Sequence, residues 1–274
     1  MKLKVATSSI LLLALLANAG TANPLTQKKA CQRFMSAVVR IDVAGGRATG
    51  FIVSPDGWIM TAAHVILDPD TGERRKAIAV MLPDGSTAFA NVVADGIDYA
   101  VLKVEKTKLP SLDLGEQSGA SPGEEITIIG YPFSAEDAFT TINAKFCMAG
   151  FVTAVDSVTY NGHQVDAIYF QGPAVKGISG GPIISRDTGR VIGIQSQKLA
   201  GIGSGLFAIR NRLIPAPGTT SGGVVTKGVN LTDATIDLIN LLDRHLANGL
   251  GAATGINDAK HDLVKAQKQH GKSK

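Results

Sequence analysis

Short apolar runs separated by turn signals dominate the chain between Ala37 and Ile209. The runs are rich in valine and isoleucine. They are broken by Pro55-Asp56-Gly57, Pro83-Asp84-Gly85, Asn161-Gly162 and Asp187-Thr188-Gly189. β-branched residues favour strands, whereas proline, aspartate, asparagine and glycine are typical of the tight turns that join strands. This pattern predicts an all-β fold, either a sandwich or a barrel, built from many short strands.

A polar, glycine-bearing stretch divides these runs into two groups. Residues 113–123 are DLGEQSGASPG, and strand-like runs lie on both sides of them. Such a composition is typical of a linker. Because a body of about 190 residues exceeds the common size of a single small domain, we predict two small β-barrels that share a cleft. The first covers residues 36–112 and the second 124–215, with an N-terminal segment over 20–35.

The pattern changes again after Arg210. Residues 216–230 are rich in glycine, serine and threonine and predict a flexible connection. Residues 231–247 predict an amphipathic helix that Thr232 can cap. The apolar face of this helix is formed by Leu238, Ile239, Leu242 and Leu246. This face can dock on the barrels, which is the simpler interpretation, or bind a partner.

The formal net charge of +4 is carried mainly by the two ends of the chain. Two lysines stand near the N-terminus, and residues 248–274 hold five lysines against two aspartates. We interpret 248–274 as a basic tail that frays or is disordered. Because a nucleic-acid groove needs basic residues clustered along a folded surface, no nucleic-acid partner is expected.

The N-terminus has the composition of an export signal. An apolar run from Ile10 to Ala17 follows the two lysines and leads into Ala17-Asn18-Ala19. The run is shorter than the ~20 residues that cross a bilayer, and the Ala-x-Ala sequence is typical of a cleavage site. We therefore expect residues 1–19 to be a signal peptide, although cleavage after Ala22 also fits. The mature protein would have no stable membrane span and would be periplasmic or secreted.

Cys31 and Cys147 are the two cysteines of the chain. An oxidising compartment would allow them to form a disulfide. Neither lies in a CxxC sequence or near a histidine pair that would indicate a metal, so no metal and no other cofactor is expected. Two buried free thiols are the alternative, and the sequence does not decide between them.

Three segments carry the residue types that acyl transfer by a serine requires. Ser179 lies in GISGGP, where flanking glycines allow a tight turn whose N–H groups can approach a substrate closely. His64 ends the strand-like run WIMTAAH, and Asp98 heads DYAVLKV, where a carboxylate is costly unless a partner takes its hydrogen bonds. Each residue alone has a simpler interpretation: a turn hydroxyl, a core histidine and a strand-start acid. Together they can supply a nucleophile, a general base and an acid that orients the base.

These segments, with ATGFIVSPDGWIMTAAHVI, RVIGIQS and GLFAIR, resemble the trypsin-like serine proteases, most closely the protease domain of the bacterial HtrA (DegP-like) group. The likeness covers most of residues 37–210, and the order His, Asp, Ser is that of the chymotrypsin fold. It implies two six-stranded antiparallel β-barrels with the active site between them, followed by the C-terminal helix. It also implies that Ser179 is the nucleophile, His64 the base and then the acid, and Asp98 its orienting partner. The N–H groups of Gly177 and Ser179 would form the oxyanion hole.

Two features depart from the family pattern. Ile178 directly precedes the serine, in the place that Asp or Asn usually holds in the family. In digestive relatives this aspartate pairs with a new N-terminus after zymogen cleavage. Isoleucine cannot form this pair, so activation by cleavage is not expected. The oxyanion loop is then ordered by packing around Ile178, or it stays collapsed until substrate binds. HtrA proteins usually carry PDZ domains after the protease, and the short segment after Arg210 leads us to expect none here.

The resemblance also bears on specificity. Pro173 lies six residues before the serine, where enzymes that cut after Lys or Arg carry an aspartate, so cleavage after basic residues is not expected. The resemblance builds the substrate pocket from Pro173, Ala174, Ser196, Gln197, Lys198 and Gly205. This mostly small and apolar set favours a small or aliphatic side chain before the scissile bond.

The leading hypothesis is therefore an exported serine endopeptidase whose partner is a polypeptide substrate. The alternative is a catalytically inactive, protease-like binding protein in which the loop at Ile178 never forms an oxyanion hole. A fluorophosphonate distinguishes these two hypotheses. It should react stoichiometrically with an active enzyme and should not react with an inactive binding protein. The sequence makes no prediction about the oligomeric state.

Overall fold

The computed structural model describes residues 24–43, 46–68, 71–75, 78–132, 144–160, 162–198, 209, 212–214, 225–226, 229–246 and 250–272. The expected signal peptide lies outside these residues, as does Gly205 of the expected substrate pocket. Within the described part of the chain, no helix is long and apolar enough to cross a membrane.

Six consecutive strands close the first barrel. They are β1 (Val38–Val43), β2 (Gly46–Ser54), β3 (Trp58–Thr61), β4 (Ile78–Met81), β5 (Thr87–Gly96) and β6 (Tyr99–Lys103), and a short helix α2 (Ala63–Ile66) follows β3. The strands are antiparallel, in the order β1-β2-β3-β6-β5-β4. The β2–β3 turn requires glycine, because Gly57 has a φ of 97° and a Cβ there would lie 2.3 Å from the carbonyl oxygen of Val104. The local turn signals thus produce the hairpins that close this barrel.

The second barrel is also closed and six-stranded. Its first five strands are β7 (Glu125–Gly130), β8 (Phe146–Tyr160), β9 (His163–Gln171), β10 (Pro182–Ser185) and β11 (Val191–Lys198). A hairpin of β12 (Val225–Thr226) and β13 (Val229–Asn230) follows, outside the barrel. With β14 (Leu250–Gly255), the strand order is β10-β11-β14-β9-β8-β7. Two six-stranded antiparallel barrels confirm the predicted fold class.

The sixth strand of the second barrel comes from outside the predicted barrel limits of 124–215. β14 pairs with β11 on one side and with β9 on the other. Its sequence, LGAATG, carries little of the β-branched and aromatic content that marks a strand. Small residues are nevertheless required, because a Cβ at Gly251 would lie 2.3 Å from the ring of Phe170. This segment therefore forms a strand because it packs between its neighbours. Its low strand propensity explains why the sequence did not predict it.

The expected disordered tail is a helix, α4 (Ile256–Lys272). Ile256, Ala259, Leu263 and Ala266 are buried along one stripe of it, and the helix packs against β5 and β6. The Tyr99 hydroxyl donates to Asp262 Oδ2 over 2.7 Å, and the rings of Trp58 and His270 meet edge to face. The prediction of a disordered tail was wrong. It was based on the many lysines, which lie on the exposed side of the helix, and it overlooked the apolar stripe between them. α4 carries the chain from the second barrel back to the first.

A helix ahead of the first barrel packs against the second. In α1 (Gln27–Phe34), Ala30 and Phe34 are buried, and the Thr26 hydroxyl accepts from Lys29 N–H at the N-terminus. A 3₁₀ turn, Met35–Ala37, leads into β1. Cys31 and Cys147, the latter in β8, have Cα atoms 5.8 Å apart and sulfur atoms in bonding contact. This spacing lies in the range that a disulfide needs.

The amphipathic segment after β13 forms α3 (Leu231–Leu246). Asn230 rather than Thr232 caps it, because Asn230 Oδ1 accepts from the N–H groups of Thr232 (2.9 Å) and Asp233 (3.4 Å). Ile239 is buried, whereas 54% of Leu238 is exposed, so the predicted apolar face is only partly covered at these two positions.

Candidate active site

His64 lies just beyond the end of β3, in the short helix α2. All four residues of β3 are buried, so the strand that leads to His64 is held in the wall of the barrel. The imidazole itself is 47% exposed. Its Nδ1 atom lies 2.8 Å from Asp98 Oδ1, and the His64 backbone N–H donates to the same oxygen over 3.3 Å. His64 is therefore anchored to a carboxylate on one side of its ring.

Asp98 lies in the tight turn between β5 and β6. Its φ is 53°, a left-handed conformation that aspartate tolerates better than most residues. The second carboxylate oxygen accepts a hydrogen bond from the Ser196 hydroxyl in β11. Burial raises the pKa of Asp98, but the hydrogen bonds from His64 and Ser196 and the attraction of the imidazole outweigh burial and lower it. Asp98 is thus held as a carboxylate with both oxygens bonded.

Ser179 lies in the loop between β9 and β10, and this loop rests on the first barrel. The Ser179 carbonyl accepts from Thr49 N–H over 2.9 Å. Gly180 has a φ of 82°, and a Cβ there would lie 2.1 Å from Thr61 Oγ1 and 2.8 Å from Ala62 N. The residue after Ser179 lies very close to the segment that leads to His64, and only glycine allows this close approach. The chain around the serine and the chain around the histidine are in direct contact here.

The loop before the serine is anchored by packing. Ile178 is fully buried in the apolar cluster of the second barrel, and Gly177 has a φ of 90°. Ile178 N–H donates to Val175 O over 3.4 Å, and Gly181 N–H donates to Ile178 O over 2.9 Å. Ile178 therefore anchors the residue before the serine through apolar packing.

The residues of the expected substrate pocket do not all share one role. Ala174 is buried, and Pro173 lines an open cavity of about 350 Å³ together with Gly150, Phe151 and Gln171, among others. None of His64, Asp98 or Ser179 lines this cavity. The hydroxyl of Ser196 is committed to Asp98, which the sequence analysis did not foresee because serine in a strand gives no signal of a partner in the other barrel. Gln197 and Lys198 pair with Ala252 and Gly251 of β14, so that strand adjoins the expected pocket.

A comparison with protein families identifies a trypsin-like peptidase domain over residues 48–194. A probable periplasmic DegP-like serine endoprotease of Halomonas elongata is 36% identical over 151 residues, which cover 54% of this chain and 29% of that protein. Serine protease HTRA1 of Xenopus tropicalis is 38% identical over 166 residues, which cover 59% of this chain and 34% of that protein. The chain thus spans about a third of the length of these curated relatives.

Solved structures show the same fold. A variant of the HtrA-type protease AlgW with a tripeptide has a TM-score of 0.57 and 20% identity, with 90% of this chain and 65% of that chain covered. A second structure of AlgW with a tripeptide gives a TM-score of 0.56. The resemblance noted in the sequence is confirmed, and the family comparison covers more than half of the 274 residues. This protein belongs to the family of trypsin-like peptidase domains.

Proposed function

We propose that this protein is an exported serine endopeptidase that hydrolyses peptide bonds through an acyl-enzyme on Ser179. The observation that carries the proposal is the His64–Asp98 pair, with 2.8 Å between Nδ1 and Oδ1 and with the other Asp98 oxygen bound by Ser196. An acid held in this way fixes the tautomer and orientation of a histidine base. The contact of the Ser179 loop with the segment before His64 supports Ser179 as the nucleophile.

The chemical steps follow from these positions. Nδ1–H of His64 donates to Asp98, which leaves Nε2 as the acceptor for the proton of the Ser179 hydroxyl. The serine oxygen attacks the peptide carbonyl, and the backbone N–H groups of Gly177 and Ser179 stabilise the oxyanion. His64 then gives its proton to the leaving amine, and a water molecule hydrolyses the ester by the same route in reverse. Asp98 stays ionised throughout and stabilises the imidazolium.

The proposed location is the periplasm or the extracellular space. It is supported by the N-terminal signal pattern and by the word periplasmic in the names of DegP-like relatives. The Cys31–Cys147 geometry fits an oxidising compartment, because a disulfide there would be stable. We propose that the two cysteines are bonded in the exported protein.

The proposed substrates are polypeptides cut after a small or aliphatic residue. Pro173 offers no negative charge to a basic side chain, and buried Ala174 is small. The strand that adjoins Gln197 and Lys198 carries Gly251 and Ala252. Pro173 and Ala174 are small and apolar, which suits a pocket for a small or aliphatic side chain.

The proposal is tested by labelling the purified protein with a fluorophosphonate and locating the adduct by mass spectrometry. We expect one adduct per chain on Ser179, casein cleavage by the wild type, and neither labelling nor cleavage in Ser179→Ala. Since the change removes one hydroxyl from a partly exposed loop, the free energy of unfolding should stay within about 0.5 kcal/mol of the wild type. A folded wild type that neither labels nor cleaves would identify a protease-like binding protein instead.

A further inference from the structure

Thr49 in β2 takes part in four hydrogen bonds, and two of them connect the first barrel to the loop around Ser179. Its N–H donates to Ser179 O over 2.9 Å, and its carbonyl accepts from Thr61 Oγ1 over 2.7 Å. Its hydroxyl donates to Gly177 O over 2.7 Å and accepts from Tyr131 N–H over 2.9 Å. The residue is fully buried. One side chain therefore satisfies a carbonyl of the oxyanion loop and an N–H at the end of β7.

The site admits few other ways to satisfy these two groups. A hydroxyl can donate and accept at once in the volume of a methyl group. The surroundings are tight, because a Cβ at Gly130 would lie 2.9 Å from Thr49 Oγ1 and one at Gly181 would lie 3.3 Å from Thr49 Cγ2. Without the hydroxyl, the Gly177 carbonyl and the Tyr131 N–H would both lose a partner in a buried place.

The Gly177 carbonyl belongs to the turn that presents the oxyanion donor. Val175 to Ile178 form a turn closed by the Ile178 N–H bond to Val175 O, and the φ of 90° at Gly177 is that of a type II turn. In a type II turn the central peptide, here Lys176–Gly177, is turned over relative to type I. Its N–H is the one proposed for the oxyanion hole. The closing bond is 3.4 Å long, so it restrains this peptide weakly.

Ile178 fixes the loop in another way. Its side chain is buried in the second barrel, which sets the position of the Cα atom but supplies no polar contact to the preceding peptide. The ion pair that orders this loop in digestive relatives is chemically impossible for isoleucine. The polar side-chain contact to the backbone of this turn comes instead from the Thr49 hydroxyl, which donates to Gly177 O.

We propose that Thr49 is a positioning residue, whose hydroxyl holds the Gly177 carbonyl and thereby keeps the oxyanion donor oriented for catalysis. This role rests on the proposed peptidase function and deepens it. The hydroxyl does not touch substrate. It fixes the Gly177–Ile178 peptide, which adjoins the Lys176–Gly177 peptide that carries the donor, so its loss should impair stabilisation of the transition state more than substrate binding.

The test compares four proteins with a peptide substrate. Thr49→Val removes the hydroxyl and keeps the shape, and Thr49→Ser restores the hydroxyl. Thr127→Val is the matched control, because Thr127 is equally buried and its hydroxyl bonds Gln27 Oε1, away from the serine loop. We expect Thr49→Val to lower kcat by about 10- to 100-fold with little change in KM, since loss of one oxyanion donor costs roughly 100- to 1,000-fold. Thr49→Ser should recover most of kcat, and Thr127→Val should keep it.

A second measurement separates positioning from general loosening of the fold. A peptide trifluoromethyl ketone forms a tetrahedral adduct whose oxyanion uses the same donors, so its inhibition constant should weaken by the same factor as kcat/KM in Thr49→Val. If Thr49→Val does not fold, Thr49→Ala takes its place. A kcat of the hydroxyl-free variant within about twofold of the wild type, or a Thr49→Ser variant as impaired as it, would overturn the proposal. A wild type that does not label at Ser179 would instead defeat the peptidase function itself.

Discussion

The two barrels have the same number of strands but are assembled from the chain in different ways. The first uses six consecutive strands between Val38 and Lys103, and it carries both His64 and Asp98. The second uses five strands between Glu125 and Lys198 and is then completed by the distant β14. The histidine–aspartate pair is thus built within one contiguous unit, whereas the serine loop belongs to a unit that is complete only when a distant segment joins it.

This difference has a physical consequence. Bringing a remote segment into a sheet costs loop-closure entropy that the packing of that segment has to offset. The second barrel should therefore depend more on contacts from outside its own contiguous stretch. These are the cysteine pair to α1 and the small residues of β14, which α4 ties to β5 and β6 of the first barrel. Each of these can be removed separately.

The largest effect is expected from the cysteine pair, which joins α1 to β8. For a sequence separation of 116, Cys31→Ser with Cys147→Ser should lower the free energy of unfolding by up to about 5 kcal/mol in the chain-entropy model. Denaturant unfolding measures the loss, and hydrogen exchange should rise more in β7–β9 than in β1–β6. Reduced wild type is the control and should behave like the double variant.

The bond itself is checked first by intact mass after alkylation in denaturant. Two alkyl groups added without reductant would show that both thiols are free. The asymmetry between the barrels would then have to rest on β14 and α4 alone.

A smaller effect is expected from Gly251→Val in β14. The new side chain would collide with the fully buried ring of Phe170, because even a Cβ would lie 2.3 Å from it. Overpacking of this kind costs up to about 3 kcal/mol. The matched control is Gly46→Ala in β2, where a Cβ meets nothing within 4 Å, and thermal unfolding should move little. Equal losses of stability in the two variants would mean that β14 tolerates an added side chain as well as β2 does.

The smallest effect is expected from Tyr99→Phe. This change removes the hydrogen bond between α4 and Tyr99, the residue that follows Asp98. Loss of the hydrogen bond to Asp262 should lower the free energy of unfolding by about 1 kcal/mol at pH 8. Burial and the neighbouring Asp262 raise the pKa of Tyr99 in the folded protein. A raised folded pKa means that this stabilisation is complete below the unfolded value of about 10 and is lost as the pH rises beyond it.

The difference between wild type and Tyr99→Phe should therefore shrink between pH 8 and pH 11 in urea unfolding. The double variant with Asp262→Asn tests the pair directly, since its loss should be less than the sum of the single losses. A difference that stays constant with pH would show that the Tyr99 hydroxyl does not titrate differently in the two states.

Much of the first barrel and the candidate site could be predicted because their signals are local. Turn residues such as Gly57 and the short runs around them specify hairpins with neighbours in sequence. The sequences around His64, Asp98 and Ser179 each carry one recognisable chemical group in a suitable local setting. The structure places the first two 2.8 Å apart.

β14 and α4 could not be predicted, because what makes them fold lies in the distant segments that they pack against. LGAATG has weak strand propensity, and it becomes a strand because only small residues fit beside Phe170 between β9 and β11. The lysine-rich tail becomes α4 because a barrel surface covers its apolar stripe.

The sequence by itself determined the β-rich fold class, the hairpins and the candidate reactive residues, since these depend on neighbours along the chain. Only the tertiary structure decided that β14 completes the second barrel, that Ser196 bonds Asp98, and that Thr49 bonds the loop around Ser179. In each case the deciding contact joins residues far apart in sequence, and a local pattern contains no information about the group that will lie across a packed interface.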